Sequence, residues 1–158
     1  MGLFRLDEVF QMAMQAEESG RLLYEAVAKD ATDPRVADLC RKLSAQEGRH
    51  YERFKAMKSS QPDDINQKRL SLEEVDFVRG LVRGQVTPVE EKARQTVREN
   101  SLAKVLDMAI QTEADSAAFY EQILPGVEGD DARAIREIIE EERRHHRILS
   151  EYRQEIRN

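Results

Sequence analysis

Apolar residues recur at alternating steps of three and four along four long stretches of the chain, with polar and charged residues between them. That spacing places the apolar side chains on one face of an α-helix, so it predicts four amphipathic helices. We expect these helices over roughly residues 7–29, 34–58, 101–124 and 130–157, with Asp7 as the N-cap of the first. Asp33 followed by Pro34 is a capping residue and a first-turn proline, which together open the second helix.

About forty residues, over positions 59–99, separate the second helix from the third. Ser71-Leu72-Glu73-Glu74 has the form of a capping box and predicts a short extra helix over roughly residues 71–84. The apolar face of this helix would consist of Leu72, Val75, Val78 and Leu81/Val82. Thr87-Pro88-Val89-Glu90 repeats the capping signature. Because antiparallel neighbours need only short loops, the long link predicts one crossover between two hairpins, at 7–58 and 100–157, in a single all-α four-helix bundle domain.

The composition agrees with a helical globular chain. Of the 158 residues, 40% are hydrophobic and 35% are charged, with four prolines and seven glycines. The formal net charge of −6 argues against nucleic acid as a partner. No apolar stretch approaches membrane-spanning length, and the N-terminal residues lack the apolar segment of a signal peptide, so we expect no membrane partner and a cytoplasmic location.

Two polar pairs interrupt the apolar faces of the second and fourth helices. Glu47 and His50 form one pair, and Glu142 and His145 form the other, in each case three positions apart. Residues at this spacing lie on one side of a helix. Burial of a charged group without a partner is very costly. A metal ion that both side chains bind is therefore the simplest explanation for their place on a core-facing surface.

The first and third helices carry a matching pattern, in which a glutamate is followed seven positions later by a tyrosine. Glu17 and Tyr24 form the first copy, and Glu113 and Tyr120 form the second. The glutamates are 96 positions apart and the two Glu-x-x-His pairs are 95 apart, so a helical hairpin occurs twice. At about 1.5 Å per residue, each glutamate and the pair that faces it lie roughly 21–24 Å from the turn between their helices. We therefore expect a pseudo-twofold axis, with each glutamate level with a Glu-x-x-His pair.

One glutamate from each of two helices and Glu-x-x-His from each of the other two form the ligand set of ferritin-like di-metal carboxylate bundles. Four carboxylates would neutralise two ferrous ions, and a ligand set without thiolate suits iron or manganese, with zinc as a further candidate. The alternative is a buried acid–histidine hydrogen-bond network that holds no metal. The charged run Glu140-Glu141 with Arg143-Arg144 is expected to be a solvated face.

On these residues, the chain resembles the rubrerythrin-like branch of the ferritin-like superfamily over both hairpins. The residues that carry the resemblance are Glu17, Glu47, His50, Glu113, Glu142 and His145, with Tyr24 and Tyr120. The resemblance implies two iron ions, bridged by the glutamates of the two Glu-x-x-His pairs and each capped by one histidine. The glutamates of the first and third helices would be terminal ligands, and the tyrosines would hydrogen-bond to ligand carboxylates. No catalytic residue is expected beyond the metal ligands.

Two departures from rubrerythrins proper bear on function. Those proteins carry a cysteine-rich iron–sulfur domain, for which the single Cys40 cannot supply the ligands. They also carry an extra glutamate three positions after the third-helix ligand, where this chain has Ser116.

The leading expectation is an oxidoreductase that reacts with peroxide or oxygen, receives electrons from a separate donor protein and forms a homodimer. The long crossover would allow helices to be exchanged between its subunits. Two alternatives use the same six residues: non-catalytic binding or storage of iron or manganese, and a helical interaction module with a structural metal.

Overall fold

The computed structural model describes residues 3–85 and 90–156. In chain order, its strands and α-helices are β1 (Leu3–Arg5), α1 (Leu6–Asp30), α2 (Pro34–Ser59), β2 (Arg69–Ser71), α3 (Asp76–Val82), α4 (Glu90–Glu99), α5 (Leu102–Ile123) and α6 (Gly129–Glu155), with short 3-10 helices at Asp64–Asn66 and Leu124–Gly126. Helix α1 packs along α2, and α5 packs along α6. These two hairpins meet through contacts of α1 with α5 and of α2 with α6. The predicted all-α bundle of two hairpins with a long crossover is confirmed.

The four long helices begin close to their predicted starts, and the capping residue of α2 is as predicted. The Asp33 carboxylate accepts a hydrogen bond from the Arg35 N–H at the start of α2, and α5 and α6 begin within two residues of their predicted starts. The prediction of Asp7 as the first N-cap is wrong, because α1 already begins at Leu6. There the carboxylate of Glu8 accepts a hydrogen bond of 2.8 Å from the N–H of Arg5.

The crossover differs from its prediction at its start. Strand β2 pairs antiparallel with β1, so that Ser71 lies opposite Leu3, and α3 begins only at Asp76. The expected capping box at Ser71 is therefore wrong, because the backbone around this residue bonds to a neighbouring strand instead. Leu70, in the middle of β2, contacts Gly126 in the turn between α5 and α6. A Cβ atom added at Gly126 would lie only 2.1 Å from a methyl carbon of Leu70.

The apolar face of the crossover is buried in part. Leu72, Val78 and Leu81 are buried against the bundle, whereas Val75 and Val82 are 39% and 51% exposed. Helix α4 is a second crossover helix and packs along α1. Of the second capping signature, Thr87-Pro88-Val89 lies outside the described residues, and Glu90 is the first residue of α4.

Two apolar clusters fill the bundle at different levels. The first includes Phe10, Phe54, Tyr120 and Ile138, and the second includes Tyr24, Leu43, Ala109 and Leu149. Each cluster takes one of these residues from each of the four long helices, and on every helix the predicted metal-binding positions lie between the two. The polar residues therefore lie in the middle of the bundle, with apolar layers on both sides. Among the described helices, none is both long and apolar enough to cross a membrane.

Candidate metal centre

The structure brings all six predicted ligand residues together in the middle of the bundle. They are Glu17 on α1, Glu47 and His50 on α2, Glu113 on α5, and Glu142 and His145 on α6. Each of the six side chains is buried, with at most 3% of its residue surface exposed. The α-helical period explains the arrangement, because the three-residue step keeps each glutamate and histidine on the inward side of one helix.

The six residues form two overlapping clusters. One consists of Glu17, Glu47, His50 and Glu142, and the other of Glu47, Glu113, Glu142 and His145. Within each cluster, one potential ligand atom per residue lies within 4.8 Å of all the others. Glu47 and Glu142 belong to both, and we call them the shared carboxylates; Glu17 and Glu113, which belong to one cluster each, are the outer carboxylates. Two cations at these positions would have the shared carboxylates between them.

The Nδ1 atoms of the two histidines face the carboxylates. His50 Nδ1 lies 2.9 Å from Oε1 of Glu142 and 3.4 Å from Oε2 of Glu17. His145 Nδ1 lies 3.3 Å from Oε1 of Glu47 and 3.5 Å from Oε2 of Glu113. The two imidazole rings are nearly parallel, with centroids 6.1 Å apart and an angle of 20° between their planes. The two halves of the centre thus repeat each other closely.

Each of the six side chains has a buried atom without a hydrogen-bond partner. These atoms are Glu17 Oε2, Glu47 Oε1, His50 Nδ1, Glu113 Oε2, Glu142 Oε1 and His145 Nδ1. A hydrogen-bond network without metal would align these atoms with one another; here His50 Nδ1 and Glu142 Oε1 lie 2.9 Å apart, yet neither makes a hydrogen bond. An unsatisfied buried polar group costs about 1–3 kcal/mol, and more when it is charged. Carboxylate oxygen and imidazole nitrogen are ligands that iron and manganese accept, so the residues fit a dinuclear metal site.

The electrostatics of the centre favour binding of cations. Burial, together with the neighbouring carboxylates, raises the pKa of Glu47 well above its ordinary value. Burial and the charges of Glu113 and Glu17 raise the pKa of Glu142 in the same direction. These two acids lie in a low-dielectric interior beside other carboxylates, so they take up protons when no metal is bound. A bound cation would reverse this preference and favour the ionised carboxylates.

The two predicted tyrosines contact the outer carboxylates. The hydroxyl of Tyr120 donates to Oε1 of Glu17 at 2.5 Å, and the hydroxyl of Tyr24 donates to Oε1 of Glu113. Burial and the nearby carboxylates raise the pKa of both phenols well above the ordinary value, so they remain protonated donors. In both halves, the tyrosine holds one carboxylate oxygen and the other faces the centre.

Sequence reasoning missed the partners of the two histidine Nε2 atoms. Glu141 was expected on a solvated face, and that expectation is wrong: its carboxylate lies 2.7 Å from Nε2 of His50. Gln46 contacts Nε2 of His145 in the same way. The repeat contains a signal for both, since each is the polar residue directly before a shared carboxylate, 95 positions apart. Glu140 is exposed and pairs with an arginine, as expected for a surface residue.

A small residue gives one shared carboxylate its space. A Cβ at Gly20 would lie 3.2 Å from Oε2 of Glu47, closer than ordinary van der Waals contact. Gly20 lies three positions after Glu17, one helical turn away, where the second repeat has the buried Ser116. The helix α1 backbone therefore approaches the shared carboxylate closely because no side chain intervenes.

Comparison with known proteins agrees with this geometry. A family model described as rubrerythrin matches residues 8–151. Among solved structures, the chain is similar to a Thermotoga maritima protein described as ferritin-like and diiron-carboxylate, with 24% identity, a TM-score of 0.76 and coverage of 98% of each chain. At that identity, the likeness shows the fold alone. A search of curated protein sequences gives no significant match.

Proposed function

This chain belongs to the rubrerythrin family, and we propose that its two overlapping clusters hold a pair of iron ions that reacts with hydrogen peroxide or oxygen. One observation carries the proposal: six buried side chains on four helices each direct an unpartnered oxygen or nitrogen at the same small region. The family implies iron, and the described residues supply a nitrogen and carboxylate set without thiolate that suits iron or manganese.

The ligand roles follow from the clusters. The shared carboxylates, Glu47 and Glu142, would bridge the two ions, the outer carboxylates, Glu17 and Glu113, would bind one ion each, and each histidine would bind one through Nδ1. Four ionised carboxylates balance the charge of two ferrous ions, so the loaded centre would be close to neutral and could remain buried.

The protein's own contribution is to hold these groups in place and to keep water out. Tyr24 and Tyr120 orient the outer carboxylates, and the hydrogen bonds at Nε2 fix the histidine tautomers so that Nδ1 is free to bind. Apolar layers above and below the centre exclude bulk water, which strengthens electrostatic interactions within it. When bound, two ferrous ions would supply the two electrons that, with two protons from solvent, reduce hydrogen peroxide to two water molecules, and a separate electron-donor protein would restore the electrons.

Iron loading of matched variants tests the site. We expect the wild-type protein to bind two ferrous ions under anaerobic conditions and Glu142→Ala to lose most of this binding. Glu140→Ala, an exposed change two positions away, should retain it. Two ions bound by Glu142→Ala, or equal losses in both variants, would show that the assignment of the site is wrong.

Reaction with peroxide tests the activity. Stopped-flow mixing of the iron-loaded protein with hydrogen peroxide should give oxidation much faster than that of free ferrous ion. Oxidation no faster than free iron would leave a binding or storage protein instead of an enzyme. Sedimentation then distinguishes a storage cage from the protein that we propose. Storage in a cage requires a large assembly, whereas we propose a homodimer.

A further inference from the structure

The two halves of the centre differ in one hydrogen-bond partner. On each of α2 and α6, the residue directly before the shared carboxylate reaches across to the histidine of the other helix. Glu141 meets His50 with its carboxylate at 2.7 Å, and Gln46 meets His145 with its amide oxygen. The tyrosine–glutamate hydrogen bonds are the same in both halves. The acceptors at the two histidine Nε2 atoms differ, and this difference breaks the pseudo-twofold symmetry.

The acceptors determine the direction of both hydrogen bonds. Carboxylate and amide oxygens accept hydrogen bonds and do not donate them, so the Nε2 atom that faces each of these oxygens carries a proton. Nε2–H of His50 therefore donates to a carboxylate, and Nε2–H of His145 donates to a neutral amide oxygen. Hydrogen bonds to an ionised acceptor are roughly twice as strong as neutral ones, and a carboxylate behind a histidine makes the histidine a more basic ligand.

We infer that the cluster containing His50 is the tighter of two unequal metal sites and that Glu141 is the positioning residue responsible. This inference rests on the proposed function, since it assumes that both clusters bind metal. Glu141 adds one negative charge behind His50, and its side chain is 31% exposed, so water screens part of that charge. Removal of such a partner typically lowers metal affinity about 10–100-fold. The first metal ion should therefore bind next to His50.

A titration of the metal-free protein with Co²⁺, followed by calorimetry and visible absorption, tests the inference. Two separate dissociation constants would not by themselves show unequal sites, because a first cation repels a second across the shared carboxylates. The informative quantity is the change in their ratio when the partners are altered. Glu141→Gln should weaken the first step about tenfold or more, and Gln46→Glu should tighten the second by a similar factor.

Each single variant thus reduces the ratio of the second dissociation constant to the first. The double variant Glu141→Gln/Gln46→Glu should restore this ratio, because it exchanges the acceptors of the two histidine Nε2 hydrogen bonds. A purely structural role would instead weaken both steps in each single variant and weaken them further in the double variant. The inference is overturned if Glu141→Gln leaves the ratio unchanged or if Gln46→Glu weakens the second step. In those cases the wild-type protein still binds two Co²⁺ ions and the proposed function stands. If the wild-type protein binds no Co²⁺, the proposed function and this inference both fail.

Discussion

The hydroxyl of Tyr120 is expected to stabilise the protein measurably, and Tyr120→Phe isolates its contribution. The ring is fully buried and packs against Phe54 at a centroid distance of 4.9 Å and against Phe119 at 5.6 Å. Phenylalanine preserves these contacts and removes only the hydroxyl, which donates to Glu17 at 2.5 Å. The substitution therefore leaves a buried carboxylate without its neutral donor.

The expected loss follows from the type of bond. A hydrogen bond to a charged group contributes about 1.5–3 kcal/mol, and we expect Tyr120→Phe to lower the free energy of unfolding by about that amount. For a chain of this size, each kcal/mol shifts Tm by roughly 2–4 °C, which gives a decrease of roughly 3–12 °C. Metal affinity should fall as well, because Glu17 loses the contact that orients it.

Urea unfolding, with and without bound metal, measures this loss. Tyr51→Phe is the matched control, since Tyr51 is half-buried against the apolar cluster that contains Tyr120. Tyr24→Phe should repeat the result of Tyr120→Phe, because the contact with Glu113 is equivalent. If Tyr120→Phe unfolds within about 0.5 kcal/mol of the wild type in both metal states, the hydrogen bond to Glu17 does not stabilise the protein and our reasoning about this contact is wrong.

Three further predictions concern pH, space at the centre and the crossover. The raised pKa values of the shared carboxylates stabilise the metal-free protein below the unfolded-state pKa of about 4.5, and this stability is lost as pH rises through the folded-state values. Metal binding requires ionised carboxylates. The free energy of unfolding in urea should therefore fall from pH 5 to 8 for the metal-free protein and rise over the same range for the metal-bound protein. Equal dependence on pH in the two states would contradict this. In a titration with Co²⁺, Gly20→Ala should weaken metal binding by displacing Glu47, whereas Gly48→Ala should retain the wild-type affinity. Leu81→Asp, at a buried position, should cost about 3 kcal/mol or more, whereas Val82→Asp, at a half-exposed one, should change the unfolding free energy by less than about 0.5 kcal/mol.

The sequence predicts the positions of the central residues well because helices transmit position along the chain regularly. A three-residue step keeps Glu142 and His145 on one side of α6, and the rise per residue sets their level. The duplicated pattern then indicates which residues of the other hairpin lie at the same level. The tyrosine contacts with ligand carboxylates were implied by the family resemblance and not by helical spacing, and the structure contains both.

Contacts that depend on the crossing of two elements were not predictable in this way. Ser71 has the sequence of a capping box, but its backbone pairs with a strand nearly seventy positions earlier in the chain. Glu141 lies in a charged run that resembles a solvated surface, and only the approach of α2 brings His50 to it. In both cases the local pattern is correct for an isolated segment, and a distant neighbour determines the outcome.

The position of the centre links metal binding to the stability of the whole bundle. Four acids and two histidines occupy the layer between two apolar clusters. Without a cation, burial of these polar groups costs free energy and offsets part of the stability that the apolar packing on both sides provides. The tyrosines reduce this cost, since each donates a hydrogen bond to one outer carboxylate, but six inward-facing atoms remain without hydrogen-bond partners. A metal ion that binds only the folded chain adds about 2.7 kcal/mol of stability at a free concentration one hundred times its dissociation constant. Because the two clusters share Glu47 and Glu142, a first ion would also order the carboxylates that a second would use. The energetic gain from the metal should therefore be distributed over all four helices instead of being confined to one hairpin.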